Sequence, residues 1–504
     1  MDLLISSAKA RGMKLIMDLV VNHTSDEHAW FLESKSSRSN PKSDWYIWRD
    51  PKTFASGSRQ PPNNWRAAFG GSAWTYVPER DQYYLHLCLE KQPDLNWTNV
   101  ETRAAIYSSA VDFWLKRGVD GFRIDSVVAF WKDPRFPDSA ITDPESEYQP
   151  MEGKYIMNGA PVHDWLKELR ARIETDHGSD IVLIGELPAT DTSEINRYIA
   201  PSSHELDMIL DFDHFMAGND WHAPLHLRTR PPLPLLKDAI TKQQAFLQTG
   251  WTTAFTENHD NPRSIDRFGP GDGEHHVSAS KMLALFLCTL SGTIFLYQGQ
   301  EIGMTNIDAS WTRSDIRDAA GLDYLDEMQR KFPDDVAKQE AAMEGLRRLG
   351  RDNGRTPVQW SSAPNAGFST AKPWIKLIDN FRSINVEREE SEPDSVLAFW
   401  KRVIAVRREY KDQLIWGRFE VHDRENLETF TYTKIGGDSA EVLLVVLNFG
   451  DEDADVFVPG DVDGSSMRLL MSTSSEHSLE GVNGGRLGPW EGRLYICQRK
   501  EAEV

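Results

Sequence analysis

Two short stretches of the chain place carboxylic side chains beside or directly after apolar residues that are typical of buried strands. In GFRIDSV, Arg123 and Asp125 alternate with Phe122 and Ile124, so the guanidinium and the carboxylate share one face of a strand. An adjacent guanidinium keeps a carboxylate ionised and aimed, which a nucleophile requires. In IVLIGELP, Glu186 follows an aliphatic run, a setting that disfavours its charged form and suits a general acid.

Two further strand-like runs end in residues of the same kind. FTENHD contributes Asp260 with His259 beside it, and KLIMDLVVNH contributes Asp18 and His23. Each also has an ordinary explanation, because an Arg-x-Asp pair can be a structural ion pair and a glutamate at a strand end can cap a helix. The set as a whole favours catalysis. Two carboxylic groups, one suited to be a nucleophile and one a proton donor, are the equipment of a retaining glycosidase.

The elements that must position these residues alternate between helix-like segments and short apolar runs. The runs are KLIMDLVV, VDGFRIDSV, IVLIGELP, LDMILDFD, TTAFTENHD and GTIFLYQGQEIG. This alternation favours a parallel sheet wrapped by helices. The glycine cluster GPGDG lacks the spacing of a nucleotide-binding loop. Because polar residues gather where several different runs end, we predict an α/β fold of the closed (β/α)8 TIM-barrel type.

The remaining segments predict two additions to the barrel. Residues 24–95 are too long and too aromatic for a simple loop, so we expect an inserted subdomain there. Short strands predominate from about Glu420 onward, which predicts an all-β domain. The predicted layout is a barrel at 1–23 and 96–415, the subdomain at 24–95, and a C-terminal β-sandwich at 416–504. The polar segment before the last barrel helix, residues 303–392, is predicted to be an elaborated loop.

Composition narrows the classes of partner and site. The formal net charge of −21 argues against nucleic acid or an anionic membrane as a partner. The three cysteines lie far apart, which predicts neither a disulfide framework nor a metal site and favours the cytoplasm. His23 and His28 have no third candidate ligand nearby, so no metal is expected. No cofactor motif is present, and no cofactor is expected.

The four blocks DLVVNH, GFRIDSV, GELP and FTENHD resemble, in this order, the four sequence blocks of the α-amylase family, glycoside hydrolase family 13. QPDLNW, YQGQEIGM and RDNGRTPVQW resemble the branch of that family that contains the α-glucosidases and oligo-1,6-glucosidases, especially its maltases and isomaltases. The resemblance covers nearly the whole chain.

This resemblance implies a role for each candidate residue. Asp125 would be the nucleophile, Glu186 the acid/base, and Asp260 the group that binds sugar hydroxyls and stabilises the oxocarbenium-like transition state. The residues implied to support the subsite of the terminal glucose are Asp18, His23, Arg123, His259 and Arg355. The implied reaction removes terminal α-linked glucose from small maltose- or isomaltose-type oligosaccharides and retains the anomeric configuration.

The resemblance also predicts where the chain differs from its family. KLIMDLVVNH resembles the third strand of the family barrel, so we expect an N-terminally truncated barrel that lacks its first two strands. One alternative function is therefore a truncated, catalytically incompetent relative. Another is a sucrose isomerase or glucosyltransferase, since sucrose isomerases share NHDNPR with this chain. They also carry an Arg/Asp-rich loop upstream, where this chain has HLRTRPPLPLLK. Ser126, after the implied nucleophile, suggests a preference for maltose- and sucrose-type substrates.

Overall fold

The computed structural model describes residues 1–53, 58–220, 223–437, 440–474 and 485–500. The chain forms two compact units. The first unit contains residues 1–212 and 248–251, and the second contains residues 213–247 and 252–504. Within the ranges described, no helix is both long and apolar enough to cross a membrane.

The first unit is built around a four-stranded parallel sheet. Its strands follow chain order across the sheet: Ile16–Leu19, Gly121–Ile124, Val182–Leu187 and Met208–Asp211. The first four predicted apolar runs are therefore strands. Phe122 and Ile124 are fully buried on one face, as the alternation in GFRID predicts.

Helical segments precede the second, third and fourth strands of this sheet. Before the second strand, Asn99 caps the helix by accepting the backbone N–H groups of Glu101 and Thr102. This helical stretch runs from Val100 to Arg117 with a π-helical turn at Tyr107–Val111, and it ends at Gly118 in the left-handed conformation. The other helices are Asp2–Ala10, Ala29–Ser34, Gly153–Ile156, Pro161–His177 and Thr192–Ile199.

The segment after the first strand contains the short helix Ala29–Ser34 and otherwise folds into small sheets. Trp48–Arg49, Gln82–Leu85 and Trp74–Val77 form a three-stranded antiparallel sheet, and Trp65–Arg66 pairs with Gln149–Pro150. Side chains of this segment share a buried cluster with residues far beyond it in sequence. The aromatic members of this cluster include Trp65, Trp74, Tyr83 and Phe136. The packing of the predicted insertion therefore extends beyond residues 24–95.

A buried lysine joins three parts of the first unit. The Lys132 ammonium donates to Asn22 Oδ1 at 2.8 Å and lies 2.6 Å from Asp94 Oδ2. Asp94 is fully buried, and its other oxygen accepts the Leu87 N–H at 3.0 Å. The contact thus connects the stretch that follows the first strand, the end of the 24–95 segment, and the loop that follows Asp125.

The second unit contains a short parallel sheet and a larger antiparallel sheet. Thr253–Ala254 pairs with Thr293–Ile294, so the last two predicted parallel strands are present but short. The antiparallel sheet has the strand order Arg418–Val421, Thr429–Ile435, Glu441–Asn448, Gly492–Gln498 and Arg468–Ser472. These strands agree with the short strands predicted from about Glu420 onward. A separate short pair is formed by Ala454–Asp455 and Arg486–Leu487.

The prediction that residues 303–392 form only an elaborated loop is wrong. Helices Ala319–Lys331 and Val336–Leu349 lie in this stretch and share a buried cluster that includes Trp311 and Leu346. Asp318 and Asp335 cap their N-termini. The other α-helices of this unit are Asp213–Met216, Leu233–Ala245, Ser264–Arg267, His276–Thr289, Val386–Ser391, Val396–Glu409 and Lys411–Leu414.

The contact made by Lys132 predicts a large stability effect. Lys132→Met would leave the Asp94 carboxylate buried without its cation, which costs about 3–5 kcal/mol in the free energy of unfolding. Chemical denaturation monitored by tryptophan fluorescence measures it. Lys116→Met removes the same charge from an exposed position and should change stability by less than ~0.5 kcal/mol. Equal, small effects for both variants would contradict the assigned role of Lys132.

His214 predicts a pH effect on stability in the acid range. Its ring lies among Phe215, Phe255 and Phe268, and burial lowers the pKa of His214 from 6.5 to about 3. Between these values the unfolded chain binds a proton that the folded chain does not, so the free energy of unfolding falls as the pH drops from 6.5 towards 3.

Denaturation curves at a series of pH values test this expectation. His214→Asn should make the pH dependence of stability shallower across that window, by up to a few kcal/mol in total. His204→Asn, at an exposed histidine, serves as the control and should leave the slope unchanged. An unaltered slope in the His214 variant would mean that His214 titrates normally in the folded protein.

Candidate active site

One guanidinium group at the carboxyl end of the first unit's parallel sheet contacts three carboxyl groups. Arg123 Nη1 lies 2.8 Å from Asp18 Oδ1 and 2.6 Å from Asp125 Oδ1, and Arg123 Nη2 lies 2.8 Å from Glu186 Oε1. The strand register explains this. Asp18 is paired directly with Arg123, and Arg123 is paired with Ile184, two residues before Glu186 on the same face.

The charges around Arg123 keep it cationic. Burial alone would lower the pKa of its guanidinium, but Glu186, Asp18 and Asp125 together raise that pKa above its ordinary value. The side chain of Arg123 is 12% exposed, whereas that of Asp18 is 47% exposed. Arg123 is therefore a fixed positive charge at the floor of the group, and Asp18 forms its open side.

The expectation that Glu186 has an apolar setting is corrected by the structure. Glu186 is buried, but the Arg123 guanidinium lies against one of its oxygens and the Ser126 N–H donates to the other at 2.9 Å. The neighbours along the strand suggested an aliphatic pocket. The partners that define the setting come instead from the adjacent strand and its loop.

The backbone of Ser126 turns the chain directly after Asp125, at the residue whose N–H contacts Glu186. Its φ of 45° and ψ of 37° lie in the left-handed region, which residues other than glycine, asparagine and aspartate seldom adopt. The turn leads into a buried 3₁₀ segment, Val127–Ala129. The left-handed turn therefore accompanies the contact of the Ser126 N–H with Glu186, a feature that the sequence did not reveal.

His23 lies near the same group and is held neutral. Gln92 Nε2 donates to His23 Nε2 at 2.9 Å. Burial lowers the pKa of His23, and the nearby carboxylates of Asp94 and Asp125 only partly offset this. Gln92 lies in the QPDLNW motif but was not singled out from the sequence. His28 is not part of the group, because its ring accepts the Trp30 N–H and caps the helix Ala29–Ser34.

The second unit holds the third predicted carboxylate between two arginines. Arg351 Nε donates to Asp260 Oδ1 at 2.8 Å, and Arg355 Nη2 donates to the same oxygen at 3.0 Å. His259 Nε2 lies 3.5 Å from Asp260 Oδ2. Burial would raise the pKa of Asp260, but Arg351, His259 and Arg355 outweigh it and hold that pKa below its ordinary value.

The two arginines are further aligned by a second carboxyl group and by the backbone. Asp318 Oδ1 lies 3.4 Å from both Arg351 Nη1 and Arg355 Nη1, and Arg355 Nε donates to the His259 carbonyl at 3.0 Å. Residues 351–354 form a 3₁₀ turn, which directs both guanidinium groups to Asp260. Arg351 was missed from the sequence, although it stands in the same RDNGRTP motif as Arg355.

The eight predicted site residues thus fall into two groups, one in each unit. In the first unit the group comprises Asp18, His23, Arg123, Asp125 and Glu186. In the second unit it comprises His259, Asp260 and Arg355. Within the described ranges, no three histidine, cysteine or acidic residues are grouped so as to hold a metal ion.

Comparison with known proteins identifies the family. The model of the α-amylase catalytic domain matches residues 1–417. The chain is 40% identical over 501 residues to an α-glucosidase of Candida albicans, covering 98% of this chain and 85% of that protein. It is 39% identical to an oligo-1,6-glucosidase of Parageobacillus thermoglucosidasius, covering 96% of this chain and 83% of that one.

A solved structure agrees with these sequence matches. An isomaltulose synthase variant from Erwinia rhapontici, in complex with sucrose, superposes with a TM-score of 0.89 at 32% identity, covering 99% of this chain and 85% of that one. The parallel strands and the C-terminal antiparallel sheet agree with the TIM-barrel and C-terminal β domain of this family. The chain belongs to the α-amylase family, glycoside hydrolase family 13, in the branch of the α-glucosidases and oligo-1,6-glucosidases.

Proposed function

We propose that the chain is a retaining α-glucosidase that removes terminal α-linked glucose from maltose- and isomaltose-type oligosaccharides. The observation that carries this proposal is the position of Arg123, whose guanidinium contacts both Asp125 and Glu186. One guanidinium can contact two carboxyl groups only when they lie close together. A short separation, roughly 5–5.5 Å, is what a retaining mechanism requires.

In this mechanism Asp125 is the nucleophile. Its carboxylate attacks the anomeric carbon of the bound glucose, and the bond from that carbon to the glycosidic oxygen breaks. Arg123 holds Asp125 Oδ1 in place, which leaves the other oxygen of this carboxylate for the attack. The product of this step is a covalent glucosyl ester of Asp125.

Glu186 acts as the acid/base. It donates a proton to the departing oxygen in the first step and takes a proton from the attacking water in the second. The Arg123 and Ser126 contacts hold the Glu186 carboxyl group in position. Glu186 takes up its proton again from water as the glucosyl ester of Asp125 is hydrolysed, so each turnover restores the starting state.

The other predicted residues are proposed to bind the terminal glucose. Asp260, kept ionised by Arg351 and Arg355, would accept hydrogen bonds from sugar hydroxyls and stabilise the oxocarbenium-like transition state. Asp18, His23, His259 and Arg355 would contribute further hydrogen bonds to sugar hydroxyls.

The substrates are proposed to be small α-glucosides, with a preference for maltose- and sucrose-type bonds over α-1,6 bonds. This preference rests on Ser126, whose small hydroxyl side chain follows the proposed nucleophile. We also propose that residues 24–95 form an inserted subdomain and residues 416–504 a β-sandwich domain. Their small sheets and the C-terminal five-stranded sheet support this layout.

Sucrose isomerisation is a second candidate, because an isomaltulose synthase structure superposes well on this chain. The two candidates differ in their products from sucrose. A hydrolase releases glucose and fructose in equal amounts, whereas an isomerase yields a disaccharide. Chromatography of the products of sucrose turnover separates them. A disaccharide as the main product would overturn the hydrolase proposal.

The roles of Asp125 and Glu186 predict distinct losses of activity. Asp125→Asn should lower kcat/KM by about 10⁴-fold or more for every glucoside, since no covalent intermediate can form. Glu186→Gln should cost about 10²–10⁴-fold with maltose but much less in the first step with 4-nitrophenyl α-glucoside, whose leaving group needs no proton. A burst of nitrophenol measures that step. The control Glu390→Gln changes an exposed carboxylate and should leave kcat/KM unchanged.

The contacts of Arg351 and Arg355 with Asp260 predict a shift in the pH dependence of kcat/KM when Arg351 is replaced. Arg351→Met removes the cation that most lowers the pKa of Asp260, so that pKa rises and protonation occurs at higher pH. The acid limb of kcat/KM for maltose should then move towards neutral pH. Arg408→Met, which removes an exposed cation, should leave the profile in place. An unshifted acid limb in the Arg351 variant would argue against this role for Asp260.

A further inference from the structure

A cavity in the first unit is lined in part by the buried Lys132 side chain. It encloses about 180 Å³, and its lining residues come from four segments: 44–49, 80–82, 96–98 and 130–136. All four segments belong to the first unit. An apolar cavity of roughly 150 Å³ holds one benzene ring, so this cavity has room for one six-membered ring.

Aromatic rings form much of the cavity wall. Trp48, Trp97 and Phe130 all line the cavity and are buried. The rings of Trp97 and Phe130 stack on each other with their centroids 3.9 Å apart. The Arg49 guanidinium lies 4.3 Å from the centroid of the Phe136 ring. The wall is therefore fixed by packing and presents apolar surface.

Polar side chains that are more exposed line the same cavity. Asp44 and Thr98 are exposed, and Asn96 links them. Asn96 Nδ2 donates to the Asp44 carbonyl at 2.9 Å, and Asn96 Oδ1 accepts the Thr98 hydroxyl at 2.5 Å. The Asp44 carboxylate has Arg80 as a charged neighbour, but it accepts no hydrogen bond from any residue that the structure describes. It is thus an acceptor that a ligand can use.

Two cations that line the cavity have donors to spare. An ammonium group carries three N–H donors, and that of Lys132 contacts two acceptors, Asn22 and Asp94. Arg49 donates to two main-chain carbonyl groups out of five N–H donors. Within the described ranges, neither side chain has a further acceptor. The cavity therefore combines spare donors, a spare acceptor and aromatic walls.

We propose that this cavity binds one neutral monosaccharide in its pyranose form. A pyranose has apolar C–H faces, which pack on aromatic walls, and hydroxyl groups that both donate and accept. These hydroxyls match the Asp44 carboxylate as acceptor and Arg49 and Lys132 as donors. An anion is disfavoured because Asp44 would repel it, and water alone would leave the aromatic surface wet.

Glucose is the monosaccharide that we propose for the cavity, because the proposed hydrolysis releases it. Only this choice of sugar rests on the proposed function. The size of the cavity and the chemistry of its lining residues do not depend on it.

Hydrogen exchange measured by mass spectrometry during a glucose titration tests the proposal segment by segment. Backbone amides in residues 44–49 and 130–136 should exchange more slowly in a saturable way, about tenfold at a glucose concentration ten times Kd. Asp44→Ala should weaken this binding about tenfold or more, because it removes hydrogen bonds to a charged group. Glu174→Ala, which removes an exposed carboxylate from the helix Pro161–His177, is the matched control and should leave Kd unchanged.

A second variant tests the cavity by filling it. Thr98→Trp places a large ring among the lining residues and should abolish the protection of residues 44–49 and 130–136. An unchanged midpoint of thermal unfolding without glucose shows that this variant is folded. The proposal would be overturned by the absence of saturable protection in the unaltered protein, or by an equal Kd in the Asp44 variant. Protection by sodium acetate but not by glucose would also overturn it, since the site would then bind anions.

The same titration separates this site from the proposed catalytic group. Glucose bound at the catalytic group should protect the strands Gly121–Ile124 and Val182–Leu187, and Thr98→Trp should retain that protection. Asp44→Ala should retain the kcat/KM of the unaltered protein for maltose. Protection of the cavity segments without maltose hydrolysis would contradict the glucosidase proposal alone, whereas hydrolysis without that protection would contradict the cavity proposal alone.

Discussion

The contact of a single, largely buried guanidinium with three carboxyl groups is the constraint on which the proposed catalytic group of the first unit depends. Arg123 is the only one of these four side chains that can donate to all the others, so it sets their spacing. When ionised, the three carboxylates outnumber the one cation. The group then carries excess negative charge, which favours a transition state in which positive charge develops on the sugar.

The group in the second unit has the opposite balance of charge. Two arginines, Arg351 and Arg355, face Asp260 and Asp318, so the cations equal the carboxyl groups in number. Here the pKa of Asp260 is held down and that of Asp318 is raised by burial. The two groups therefore suit different tasks. In the proposed mechanism, the excess of carboxylates serves bond cleavage, and the balanced group of two arginines and two carboxyl groups serves the binding of neutral hydroxyl groups.

The sequence predicts those features of the structure that depend on residues close together along the chain. The period of two in GFRID predicts the buried face with Phe122 and Ile124, and Gly118 marks the end of the helix before it. The setting of Glu186 was not predictable in this way, because its partner Arg123 comes from a neighbouring strand through a register that no short motif specifies. The helices Ala319–Lys331 and Val336–Leu349 were missed because polar residues cover most of their surfaces and the turn formers around them dominate the pattern.

The buried contact of Lys132 with Asn22 and Asp94 has a consequence for motion. This contact links the end of the 24–95 segment to the loop that follows Asp125, and both Lys132 and Asp94 are buried. A swing of the segment away from the sheet would have to expose an ion pair and separate it at the same time. Such an opening belongs to the rare, sub-global class of fluctuations, so the segment and the loop after Asp125 behave as one cooperative folding unit.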